Sequence, residues 1–200
     1  MYKDALAKLR SIREQTIHLI ENLDQPASDR IPSPGKWSIS EILDHLILTD
    51  AFYQKDVSKL VGLGKTNQSA VLRRTFSEFN ASPRFFPKPL MILTTPFLSF
   101  AGCFVPRFLR ETMMRNAILP FQNPDVVKPR KGRKLDSLKV DLREYLHSIE
   151  TILNENPDLN YNELFHYHPI LGKNTIPQLL KLMARHEQRH QDQIQRILNN

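Results

Sequence analysis

Apolar residues recurring at three- and four-residue steps over four long stretches constrain this chain most. Residues 2–23 place Leu6, Leu9, Ile12, Ile17, Leu19, Ile20 and Leu23 at such steps, with Arg13 and Thr16 on the same stripe. That is the pattern of an amphipathic helix with one buried face. Pro26, Pro32, Pro34 and Gly35 then break the chain. Ser38-Ile39-Ser40-Glu41 is a capping box: Ser38 caps, Glu41 reciprocates, and Trp37 just before it can fold back as a hydrophobic staple. Ile42, Leu43, Leu46, Ile47 and Phe52 carry this second helix to about residue 60, where Gly62 and Gly64 are expected to end it. A third helix is predicted over Leu135–Asn154 through Leu138, Leu142, Leu146, Ile149 and Leu153. A fourth is predicted over Ile176–Leu198, with Pro177 in its first turn. Residues 66–80 are helix-compatible, no strand pattern competes, and there is no repeat of 20–50 residues. The expectation is an all-α chain whose four principal helices form a bundle.

With 200 residues, 40% of them apolar and 24% charged, the chain reads as one domain over residues 1–200. Its single cysteine, Cys103, excludes an internal disulfide framework and a cysteine-rich metal cluster. Met1-Tyr2-Lys3-Asp4-Ala5 runs directly into the first amphipathic pattern without the apolar core of a signal peptide, so a cytoplasmic location is expected. The net charge of +7 is unevenly distributed. Residues 84–134 contain ten basic and two acidic residues, a net of +8, against 18 basic and 19 acidic residues elsewhere. The basicity belongs to an insertion between the second and third helices. Within it, Pro89 to Pro106 has no charged residue in 18 positions, but Pro96 interrupts it and argues against a membrane span. Contact with an anionic membrane surface is one reading of this apolar body with flanking arginines. The favoured reading is a helical excursion that covers the bundle or a dimer partner, with Cys103 a small buried hydrophobe. Lys128-Pro129-Arg130-Lys131-Gly132-Arg133-Lys134 lacks interleaved aromatics and a binding module around it, so it reads as a solvated loop and no nucleic-acid partner is expected.

Seven histidines occur, and three have informative positions. His186 and His190 stand four apart on the last helix, so both imidazoles leave one face. Such a pair can chelate a divalent transition metal, and a useful site needs a third ligand from elsewhere. His45, amid Leu43, Leu46 and Ile47, is the best candidate. The competing reading is a surface pair and a satisfied core histidine.

Three stretches together resemble the DinB/YfiT-like superfamily of four-helix-bundle proteins. They are Lys36-Trp37-Ser38-Ile39-Ser40-Glu41-Ile42-Leu43-Asp44-His45-Leu46, His168-Pro169-Ile170-Leu171-Gly172, and His186-Glu187-Gln188-Arg189-His190-Gln191-Asp192-Gln193-Ile194. The likeness covers residues 1 to about 75 and about 120 to 200. It implies a bundle holding a divalent ion, Zn²⁺ or Ni²⁺, between one histidine of the second helix and two of the last. By motif these are His45, His186 and His190, the trio that spacing already suggests. It also implies either a thiol S-transferase using a low-molecular-weight thiol or a metal-dependent hydrolase, often as a homodimer.

A site of three neutral imidazoles leaves a bound ion its full charge, able to acidify water or activate a thiol on a small-molecule substrate. His168 is a candidate acid/base at the mouth of the site, or else caps the last helix. His186-Glu187-Gln188-Arg189-His190 also matches the H-E-x-x-H metalloprotease helix, but no downstream third ligand follows it. Glu187 is then either a base leaning toward the metal or a solvated glutamate. Glu41 and Gln193, each one turn from a candidate ligand, are candidates to fix imidazole tautomers. Against the metal-dependent enzyme stands one alternative: a non-catalytic binding protein that uses the apolar insertion to hold a lipid or protein partner.

Overall fold

A computed structural model of the chain describes residues 2–66, 70–75, 106, 112, 125–168 and 171–199. Residues 84–105, 107–111 and 113–124 of the insertion, Cys103 among them, lie outside them, as does Pro169. The expected helices are present as α1 (Tyr2–Leu19), α3 (Ile39–Lys65), α4 (Leu135–Asn154) and α5 (Ile176–Leu198), with a short α2 (Gln25–Asp29) between the first two. The fold is all-α in its framework: α1 packs along α5, α3 along α4, and α3 also meets α5. No helix of the described residues is long and apolar enough to cross a membrane.

The capping chemistry is where the sequence placed it. Ser38 Oγ accepts from Glu41 N at 3.2 Å and Glu41 Oε2 accepts from Ser38 N at 2.9 Å. A second capping box, Thr175 with Gln178, starts α5. Pro26 does not simply break the chain; it sits in the first turn of α2, which Asp24 caps.

Two glycine expectations need correction. Gly62 and Gly64 do not end the second helix, which runs through both to Lys65. At Gly64 the helix passes close to Leu164: a Cβ there would stand 2.9 Å from a terminal methyl of that side chain, which would have to shift. The reading of residues 66–80 as helix-compatible is also corrected over the described residues 70–75, because Val71–Arg73 forms a strand, β1; residues 67–69 and 76–80 lie outside the described residues. It pairs in parallel with β2 (Phe165–His168), which pairs antiparallel with β3 (Gly172–Thr175). Gly172, which opens β3, sits at φ 63°, a conformation that favours glycine. These strands of three or four residues carry almost no period-two apolar signal, and their register comes from pairing with distant chain. The sheet is fastened to α3 through Asp56. Its carboxylate, fully buried, accepts from His166 Nε2 at 2.9 Å and from the Arg74 guanidinium.

The core is divided along the bundle axis. One apolar cluster gathers Leu6, Leu9, Val57, Leu60, Leu153, Leu179 and Leu180; the other gathers Ile20, Leu43, Leu46, Leu138, Leu142, Ile194 and Ile197. Between them lies a buried polar layer of Arg13, Thr16, Asp50, Glu187 and Gln191. Arg13 donates to Asp50 Oδ2 at 2.6 Å, to Glu187 Oε1 at 2.8 Å, and to the Leu142 carbonyl. Thr16 donates to Glu187 Oε1 at 2.6 Å, and Gln191 donates to Thr16 at 2.9 Å. All four long helices therefore meet on one guanidinium. Burial opposes the Arg13 charge, but the two carboxylates outweigh it and hold the pKa above its usual value. Burial pushes the Asp50 carboxyl up to about 6, with Arg13 pulling it down and Glu187 pushing it further up.

Candidate metal centre

His45 lies on the second turn of α3 on a face that is buried from Ile39 to Ile47, and it is itself buried. His186 and His190 lie one turn apart on α5, the first half-buried and the second buried. Because α3 and α5 meet, the three rings converge. His45 Nε2 is 3.3 Å from His186 Nε2, and His190 Nε2 is 3.1 Å from the same atom. The ligand atoms of all three lie within 4.8 Å of one another.

The opposite ring nitrogens decide what those Nε2 atoms are. His45 Nδ1 is 2.7 Å from the Val127 carbonyl, and His190 Nδ1 is 2.7 Å from Gln193 Oε1. Both partners are acceptors, so each Nδ1 carries the proton and each Nε2 presents a lone pair inward. Burial above all, with the nearby Arg189 acting in the same direction, brings His45 down to about 4; burial, then His45 and Arg189, brings His190 down to about 3. Burial and the neighbouring imidazoles push His186 well below its usual value. All three rings are thus neutral at physiological pH, the state in which imidazole ligates. Lone pairs facing one another at hydrogen-bond distance repel unless a proton or a cation lies between them. This donor set fits a divalent transition ion, with no protein carboxylate among the ligand atoms.

The structure also shows what supports the trio. Gln193 performs the tautomer-fixing role foreseen for it. Glu41 does not; its carboxylate closes the capping box, and the Val127 carbonyl takes its place at His45. Val127 follows from the basic run's fold, in a 3-10 turn at Asp125–Val127. That run is not simply a solvated loop. Arg130 and Arg133 donate to the fully buried Asp44, one residue before His45, at 2.8 and 2.9 Å, and the Arg130 amide adds a bond of 2.7 Å. Burial would raise the Asp44 carboxyl, but these bonds outweigh it and hold it below the usual range. A backbone carbonyl carries no sequence signal. Asp44, an acidic residue among Ile42, Leu43, Leu46 and Ile47, was the available hint.

Two other candidates lie elsewhere. Glu187 spends both carboxylate oxygens on Arg13 and Thr16 in the polar layer, so it neither leans toward the trio nor meets solvent. Arg13 and Thr16 on the apolar stripe of α1 were the signal for that. His168 lies in β2, its ring 6.4 Å from that of His166, and accepts from the Leu171 amide at 3.2 Å. His166 is bonded to Asp56, eleven residues beyond His45 and so about 16 Å along α3 at the helical rise. His168 therefore belongs to the sheet end of the bundle, away from the trio.

A cavity of about 500 Å³ opens beside His190 and Gln193, walled by Trp37 and Ile42. The Trp37 ring also lies 4.9 Å from that of His45. The volume suits a small molecule.

No curated protein and no solved structure matches the chain significantly. The family model of the DinB superfamily matches residues 8–194, a span that takes in His45, His186, His190 and every helix that positions them, and the chain belongs to that superfamily.

Proposed function

We propose that the protein is a metal-dependent enzyme acting on a small molecule, with Zn²⁺ or Ni²⁺ held by His45, His186 and His190. One observation carries this reading: three neutral imidazoles turn their Nε2 atoms toward one point while acceptors occupy Nδ1 of His45 and His190. When bound, a divalent ion with three uncharged ligands keeps its full charge and lowers the pKa of a thiol or water brought to it. The chain's own groups do the rest. Val127 and Gln193 hold the ring orientations, and the apolar surroundings of His45 keep solvent from competing for its lone pair. Trp37 and Ile42 offer a wall against which a substrate can be oriented. The chemistry supported is activation of a low-molecular-weight thiol for transfer, or of water for hydrolysis.

The test is metal content by mass spectrometry on protein purified without a histidine tag and then titrated with Zn²⁺ and Ni²⁺. One ion per chain is expected, lost in His186→Ala with the helical circular dichroism unchanged. Wild-type protein that takes up neither ion would overturn the proposal.

A further inference from the structure

One side chain ties the trio to the cavity beside it. Gln193 and His190 both line that cavity, together with Trp37 and Ile42. Gln193 Oε1 lies 2.7 Å from His190 Nδ1, while His190 Nε2 turns to His186 at 3.1 Å. A glutamine amide has one acceptor oxygen and two N–H donors. The proton on Nδ1 needs the oxygen, so the amide cannot flip without losing that bond. What remains is the Nε2 end. Among the described residues no protein group accepts from it. Other glutamines spend theirs inside the fold. Gln25 Nε2 donates to Asp29 and to the Arg133 carbonyl, and Gln191 Nε2 donates to the Ile12 carbonyl and to Thr16. Half-buried Gln193 therefore offers the cavity donors only.

We infer that Gln193 is a specificity-determining residue with two ends: Oε1 holds His190, and Nε2 donates to the carbonyl oxygen of a small molecule whose apolar body lies against Trp37. The apolar side of the cavity comes from Trp37, Ile42 and Ile197. A polar group in such a site discriminates by what it leaves unpaired, so a ligand without an acceptor at this point strands the amide donors. The inference names the ligand class of the proposed metal centre and rests on that reading for the tautomer of His190.

Trp37 is the chain's one tryptophan, so its single indole N–H signal in the NMR spectrum of nitrogen-15-labelled protein reports on the cavity. The probes are acetophenone and α-methylstyrene, alike in shape and differing in a C=O against a C=CH₂. Each is titrated against wild type, Gln193→Glu and Gln193→Leu. The glutamate keeps an acceptor for His190 but has no N–H; the leucine has neither. The ratio of the two affinities cancels the difference in hydrophobicity between the probes when variants are compared with wild type. Both variants should lose about fivefold in preference for acetophenone, the worth of one neutral hydrogen bond. Zinc affinity separates them: Gln193→Glu should hold zinc as wild type does, and Gln193→Leu about tenfold more weakly. Should the leucine variant not fold, the glutamate variant decides, because a residue that served His190 alone would leave its ratio unchanged. An unchanged ratio, or no saturable shift of the indole signal with either probe, overturns the inference. A ratio lost in the variants of a protein that takes up no zinc would sink the metal-centre reading and leave the donor role standing; zinc uptake with an unchanged ratio would do the reverse.

Discussion

At the scale of single residues, the least replaceable side chain is Arg13. It is 2% exposed and joins Asp50 and Glu187 to the Leu142 carbonyl, so its removal leaves two carboxylates buried without a cation. Breaking such a group from one side costs about 3–5 kcal/mol. Arg13→Met should therefore lower the urea unfolding free energy by about that amount. A change below about 1 kcal/mol would show that the layer relaxes or floods with water. The same network explains why Glu187, though flanked in sequence by the candidate ligands His186 and His190, is turned away from them. In a helix, neighbours in sequence leave at about 100°, so the residue after a ligand faces a different helix.

Two elements illustrate how loops are made to serve helices. The run from Lys128 to Lys134 places the Val127 carbonyl on His45 by fixing Arg130 and Arg133 to Asp44. Arg130→Gln with Arg133→Gln should weaken zinc binding about tenfold, in the range seen when partners of ligating histidines are removed. Competition with a chromogenic chelator measures this, and unchanged zinc affinity would mean that Val127 is held by other contacts. The small sheet depends on Asp56. Burial pushes its carboxyl up, but hydrogen bonds from His166 and Arg74 outweigh that and hold it below its usual value. Because the folded pKa is depressed, its contribution is fully present above the unfolded value of about 4 and is lost as pH falls below it. Asp56→Asn should thus flatten the acid limb of the stability profile and lower the melting temperature at pH 7. A variant with an acid limb as steep as wild type would assign that limb to other carboxylates.

For the whole molecule, the site has a mechanical consequence. His45 comes from α3 and His186 and His190 from α5, so an ion on the trio would tie together directly two helices that otherwise meet through apolar packing and through the Arg13 layer. Binding to the folded state alone stabilises it by mass action, about 2.7 kcal/mol at a hundredfold excess over the dissociation constant. Zinc at that excess should raise the melting temperature by several degrees, as about 1 kcal/mol is worth 2–4 °C in a chain of this size. Chelator should reverse the rise, and His186→Ala should not show it.

Periodicity alone determined the four long helices, and α4 and α5 coincide with the predicted ranges. A helix is a local structure, so its stripe and caps lie within one stretch of chain. Spacing paired His186 with His190, the position of His45 amid Leu43, Leu46 and Ile47 made it the candidate third ligand, and the three motifs pointed to the same trio. Tertiary structure decided the rest: the sheet, the polar layer, the Val127 carbonyl, the use of the basic run, and the placing of His168 and Glu187 away from the trio. Each of these pairs residues far apart in the chain or uses a backbone atom that no side chain announces. Which buried charge meets which partner is settled by packing and desolvation in three dimensions, and neither leaves a period in the sequence.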